Sequence, residues 1–122
     1  MRMIEKEQAV IKHCKARTIY GMIEDGGVIK SDQMTMGIAR FDKNQGPMNP
    51  HVHAEEGMYV IDCANAYIRC GSSADTLGER ELIKPGMIIF VPEGEWHVFE
   101  FEDGGFLDIV FCLPVGSIDR PE

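Results

Sequence analysis

Clusters of turn-forming residues interrupt this chain at short intervals, and this pattern restricts the fold more than any other feature of the sequence. Glycine supplies positive φ angles, and Asp or Asn hydrogen-bonds its own backbone, so each cluster marks a reversal of the chain. The clusters lie at 25–27, 42–47, 71–73, 77–78, 85–86, 92–94 and 103–105. Only short segments remain between them.

Those segments have the composition of β-strands. Several are rich in β-branched or aromatic residues, and their apolar and polar positions roughly alternate, as expected for strands with one buried face. The candidate strands are 18–23, 34–41, 51–53, 58–63, 67–70, 79–83, 87–91, 97–101 and 106–113. Many short strands at this spacing predict a β-sandwich or barrel. Residues 4–16 fit either a short helix or an extra edge strand, and the sequence does not decide between them.

The length of 122 residues is that of one domain, and we predict a single domain over 1–122. Such a chain buries a core without help from disulfides. None of the four cysteines, Cys14, Cys63, Cys70 and Cys112, forms a C-x-x-C pair. We therefore expect them to be reduced and to act as small core residues.

Charge and hydropathy limit the partners. The net charge is −8, whereas a nucleic-acid binder needs a basic face, so we expect no nucleic-acid binding. The one basic cluster, Lys12, His13, Lys15 and Arg17, is interpreted as solvated surface. No apolar run approaches the roughly 20 residues of a membrane helix, and the N-terminus lacks the apolar segment of a signal peptide. We expect a cytoplasmic protein that does not bind membranes.

Histidine spacing gives the strongest indication of chemistry. On a strand, residues i and i+2 point to the same face, so the rings of His51 and His53 would converge while Val52 points away. Glu56 begins the next segment and is able to fold back over the same point. Further on, the turn at 92–94 places His97 at the start of another strand.

These residues resemble the two signature motifs of the cupin superfamily. Gly86-x5-Pro92-x-Gly94-x2-His97 is similar to the second motif, and His51-x-His53 with Glu56 and Tyr59-Val60 is similar to the first. Together they span about residues 46–101. The resemblance implies an all-β, double-stranded β-helix (jelly-roll) barrel. It also implies a metal site whose ligands are His51, His53, Glu56 and His97.

The chain departs from the usual motifs in four places. Four residues, rather than five, separate Gly46 from His51. Two residues, rather than three or four, separate His53 from the glutamate, and Cys63 replaces the closing glycine. Glu56 keeps the motif's spacing to Cys63, which favours it as the ligand, with Glu55 as the alternative. Phe101 stands where the second motif often has asparagine, which affects the polarity of the pocket rather than the metal.

Three imidazoles and one carboxylate form a site that suits Fe, Mn, Co, Ni, Zn or Cu better than Ca or Mg. Ligands from one side of a barrel leave coordination positions open, as in catalytic sites. The predicted function is a metal-dependent enzyme that acts on a small molecule. The resemblance leaves dioxygenase, isomerase and decarboxylase activities open.

Two other functions remain as alternatives. One is a non-catalytic small-ligand-binding or sensory module. The other is a metal-free sugar-nucleotide epimerase, which the His-x-His pair disfavours. We also expect a homodimer formed through edge strands, because unpaired edges need covering.

The remaining polar and aromatic residues are interpreted as surface or packing residues without a role in the chemistry. His13 should lie on the surface, Arg40 should be exposed, and Tyr59 and Trp96 should point away from the metal. Two-residue alternation predicts that Asp62 shares a face with Glu56 and Val60. It also predicts that Phe99 and Phe101 share a face with His97 and line the pocket with apolar surface.

Overall fold

The computed structural model describes residues 1–114, so residues 115–122 of the predicted domain lie outside the described part. Two short 3₁₀ turns lie at Lys6–Gln8 and Lys43–Gln45. The strands are β1 (Val10–Cys14), β2 (Arg17–Ile23), β3 (Met34–Asp42), β4 (Glu56–Gly71), β5 (Glu81–Leu82), β6 (Ile88–Val91) and β7 (Trp96–Pro114). All strand pairs are antiparallel. The prediction of an all-β, double-stranded β-helix barrel is confirmed.

Several predicted strands are present with small shifts at their ends. The segments 18–23, 34–41, 79–83 and 87–91 correspond to β2, β3, β5 and β6. The undecided region 4–16 contains an edge strand, since β1 pairs with β2 at the end of the sheet. The predicted strand 51–53 is reduced to one bridge at His51.

Two of the predicted breaks are bends within continuous strands. Segments 58–63 and 67–70 form the single strand β4, and 97–101 and 106–113 form the single strand β7. These two strands pair along their length, and their register shifts between Ala64 and Ala66. Asn65 and Gly104 have positive φ there, and the Asn65 side chain donates a 3.0 Å hydrogen bond to the carbonyl of Asp103. The glycines at 104–105 thus belong to a bulge that bends the strand pair, not to a reversal.

The core fills the space enclosed by the strands. The sheet order is β1-β2-β3-β7-β4-β5, with β6 paired to β4. Every second residue of β3 from Thr35 to Phe41 is buried, as expected for one inward face. The rings of Phe41 and Phe99 meet edge to face with centroids 5.0 Å apart. The described residues contain no helix long and apolar enough to span a membrane.

Two surface predictions are wrong. A bulge between Val60 and Asp62 interrupts the alternation of β4, so Asp62 is exposed instead of sharing the buried face of Val60. Arg17 is only 6% exposed, although the sequence placed it in a solvated cluster. Its position alternates with the buried residues Ile19 and Gly21, and this alternation turns its side chain inward.

Other surface expectations agree with the structure. Arg40 is partly exposed and forms an ion pair with Asp108 at 2.9 Å. The exposed ring of Tyr59 lies opposite the buried face of β4, and His13 is exposed. The four cysteines form no disulfide and are partly buried. Burial raises the pKa of Cys70 to about 11, which keeps this thiol protonated at neutral pH.

Candidate metal centre

Two of the histidines are joined by a backbone bridge. The amide of His51 donates to the carbonyl of His97 at 3.0 Å, and the amide of His97 donates to the carbonyl of His51 at 2.9 Å. Residues that exchange both hydrogen bonds in an antiparallel pair present their side chains on the same face. The two imidazole centroids are accordingly 4.3 Å apart.

His53 completes a cluster of three rings. Its centroid lies 5.5 Å from that of His51 and 4.8 Å from that of His97. The amide of Gly94 donates to the carbonyl of His53 at 3.3 Å, which ties the turn before β7 to this segment. One ligand nitrogen from each ring lies within 4.8 Å of the other two. Nitrogens that share an ion at about 2.1 Å lie at most about 4 Å apart, so small side-chain movements fit the cluster to a metal.

Backbone carbonyl groups fix the tautomer of all three rings. The Nδ1 atoms of His51, His53 and His97 lie 3.1, 2.7 and 3.1 Å from the carbonyl oxygens of Asn49, Ala54 and Glu95. A carbonyl oxygen only accepts a hydrogen bond, so each Nδ1 must carry the proton. In a neutral ring this arrangement leaves the lone pair on Nε2. Metal-binding histidines are held in this way by a partner for the second nitrogen.

Burial keeps two of the rings neutral. The pKa of His97 is lowered to about 3, mainly by desolvation and in addition by the neighbouring His51. Desolvation likewise lowers the pKa of His51 to about 4, although the hydrogen bond to Asn49 opposes this shift. Only 1% of His97 is exposed. Both rings are thus unprotonated at neutral pH, which is the form that binds metals.

The structure places Glu56, rather than Glu55, beside the histidines. Oε1 of Glu56 lies 3.5 Å from Nε2 of His53, and the Glu56 side chain is 12% exposed. Glu56 precedes Met58 and Val60 on the inward face of β4, whereas Glu55 is exposed. Among residues 1–114, the potential ligand atoms that all lie within 4.8 Å of one another belong to the three histidines, and Glu56 is not in this group.

Arg17 is a buried charge near this cluster that sequence reasoning missed. Its guanidinium donates to the carbonyl of Lys15 at 3.3 Å. Its positive charge makes a small contribution to the lowered pKa of both His51 and His97. The alternation of Arg17 with Ile19 was the available signal. The neighbouring lysines obscured it by making the segment look uniformly solvated.

Apolar side chains continue from His97 along β7. Phe99 is buried, and Phe101 is partly buried and packs against the core, in agreement with the predicted shared face. Both rings line an open pocket of about 460 Å³, together with Met48 from the segment before His51. Lys43, Arg80 and Glu100 add charged groups to its wall.

No family model and no curated protein matches this chain. Solved structures share its fold. The polyketide cyclase RemF from Streptomyces resistomycificus has a TM-score of 0.70 and 21% identity over 100% of this chain and 82% of that one. A protein from Planctomyces limnophilus has a TM-score of 0.72 and 15% identity over 98% of this chain and 92% of that one.

The hydroxypropylphosphonic acid epoxidase from S. wedmorenis has a TM-score of 0.67 and 12% identity over 93% of this chain. This chain spans 59% of the epoxidase. At these identities the likeness shows a cupin-like barrel fold and no more. What the site itself shows is that three histidines of that barrel are placed to hold a metal ion.

Proposed function

We propose that this protein is a metal-dependent enzyme that acts on a small molecule inside the barrel. One divalent transition metal would be held by His51, His53 and His97, with Glu56 as the fourth ligand. The observation that carries the proposal is that one ligand nitrogen from each of three histidines lies within 4.8 Å of the other two. The three Nδ1–H···O=C hydrogen bonds leave Nε2 as the metal-binding nitrogen of each neutral ring. Three histidines on a surface by chance have no reason to share this arrangement.

A bound metal would supply a Lewis acid for a substrate oxygen, and, as iron, a centre for O₂ chemistry. The chain's own residues prepare the site for that role. The neutral imidazoles of His51 and His97 offer lone pairs without first losing a proton. The Glu56 carboxylate supplies negative charge beside His53.

The neighbouring structures support small-molecule chemistry in such a barrel. One neighbour is a polyketide cyclase, and another is an epoxidase for which Fe(II) forms are known. Iron is therefore the first metal to test, followed by Mn, Ni, Co, Zn and Cu.

The first experiment is elemental analysis of the purified protein, with His97→Ala as the matched variant. We expect close to one transition-metal ion per wild-type chain and a large loss in the variant, whose fold is checked by circular dichroism. The iron-loaded protein is then screened for O₂ uptake with phenolic and diketone substrates. Wild-type protein that binds none of the six metals would refute the proposal.

A non-catalytic ligand-binding module is the second candidate, and the position of Glu56 favours it. A carboxylate committed to the metal is not free to act as a general base. A ligand that co-purifies and is recovered unchanged after incubation with the metal-loaded protein would support the module. Turnover of that ligand would exclude it.

A further inference from the structure

Outward side chains of four neighbouring strands form a continuous apolar surface. Cross-strand pairs place them in two adjacent rows on β3, β7, β4 and β6. One row consists of Met36, Cys112, Gly57 and Phe90, and the next consists of Ile38, Val110, Tyr59 and Ile88. We refer to these residues as the outer apolar face. Neither row contains a charged residue.

The outer apolar face is exposed in the single chain. Ile88 is 70% exposed, Phe90 is 59% exposed and Tyr59 is 46% exposed. The alternate residues of the same strands, such as Val60 and Ile109, are buried in the barrel. The exposed rings and aliphatic chains therefore have no role in the core.

The size of this surface suits a protein interface. Tyr59, Ile88, Phe90 and Met36, with the adjoining Met34 and Ile61, are each about 40–70% exposed. With about 200 Å² for each side chain, they leave about 600 Å² of apolar surface uncovered. This is the upper end of what monomers expose, and a standard interface buries about 800 Å² on each partner. Residues around the outer apolar face would need to supply only about a quarter of the area that each partner buries.

The shape of the outer apolar face is self-complementary. Gly57 is the cross-strand partner of Phe90, and a methyl group built on Gly57 would meet no atom of the chain within 4 Å. A projecting ring thus lies beside an open hollow. A two-fold axis between them would place Phe90 of each copy over Gly57 of the other, since a two-fold contact pairs each feature with its counterpart.

Charge also favours a second copy of this chain. Two copies with a net charge of −8 repel each other unless they meet through uncharged surface. The next row of the sheet, on one side of the outer apolar face, contains the Arg40–Asp108 ion pair and Asp62. An apolar centre with a charged border is the usual anatomy of an interface.

We propose that two copies of this chain associate through the outer apolar face to form a two-fold symmetric dimer. The sequence predicted a dimer through edge strands, whereas this contact joins the faces of two sheets. It is independent of the proposed metal, because the inward side chains of the same strands face the site.

The experiment is size-exclusion chromatography with light scattering over a wide range of concentrations. The wild-type chain should give twice the 13.7 kDa of one chain and dissociate on dilution. Phe90→Glu should raise the dissociation constant at least about 30-fold, as expected for a central hot-spot residue. Gly57→Lys should do the same by filling the hollow. Circular dichroism and metal content should stay at wild-type levels in both variants.

Leu82→Glu is the matched control, because Leu82 is 50% exposed on β5, outside the outer apolar face. It should change the dissociation constant less than about threefold. Three results would overturn the proposal: a wild-type monomer at every concentration, a Phe90→Glu dimer as tight as wild type, or equal weakening by Leu82→Glu. A monomer that still binds metal would overturn the dimer alone and leave the proposed function intact.

Discussion

The buried imidazoles should make the metal-free protein lose stability in mild acid. In the unfolded chain His51 and His97 have ordinary pKa values near 6.5, whereas in the folded chain these values are about 4 and about 3. Below pH 6.5 the unfolded state therefore binds protons that the folded state does not bind. Stability falls as the pH falls from 6.5 toward the folded values, and it changes little above that window.

The magnitude follows from the two shifts. Between pH 7 and pH 5 an unfolded histidine goes from about one-quarter protonated to almost fully protonated, which is worth about 2 kcal/mol for each ring whose folded form stays neutral. At pH 5 both folded rings are still largely neutral, so together they remove about 4 kcal/mol. This is a large share of the roughly 5–15 kcal/mol that stabilises an ordinary domain.

The assay is urea unfolding of the protein after chelation and removal of metal, at pH 7 and pH 5. His97→Asn removes one titrating ring, so its loss between the two pH values should fall to about 2 kcal/mol. The reasoning would be refuted by metal-free wild-type protein that is equally stable at both pH values. It would also be refuted by an unchanged loss in His97→Asn.

Two further predictions concern the ligand choice and the bend. Glu56→Gln should weaken metal binding about 10- to 100-fold in a chelator competition, whereas Glu55→Gln should leave it near wild type, and the reverse order would identify Glu55 as the ligand. Gly105→Ala should cost about 1–3 kcal/mol in urea unfolding, because its new Cβ would lie 2.7 Å from the carbonyl oxygen of Glu102 and 2.8 Å from that of Asn65. Unchanged stability of Gly105→Ala would show that the bend accommodates a side chain.

The sequence itself predicted a β-sandwich or barrel for a clear physical reason, whereas the set of candidate ligands came from the resemblance to the cupin motifs. Turn residues and two-residue alternation are local signals, and they fix where strands run and which face a side chain occupies. The same local signals do not show where a bulge shifts the register of a strand. The register shift at Ile61 places Asp62 on a different face from the predicted one. At Asn65 the chain bends but continues, so two predicted strands form a single strand. Arg17 was missed because charge was given more weight than alternation.

The histidine cluster combines local and long-range interactions. The carbonyl groups that orient the rings belong to Asn49, Ala54 and Glu95, each within two residues of its histidine. The tautomers are thus set by local backbone. The long-range step is the His51–His97 bridge, which depends on closure of the barrel. Closure of the barrel, which buries the apolar core, also brings the three rings together, so a cation that binds the folded chain alone would add to its stability.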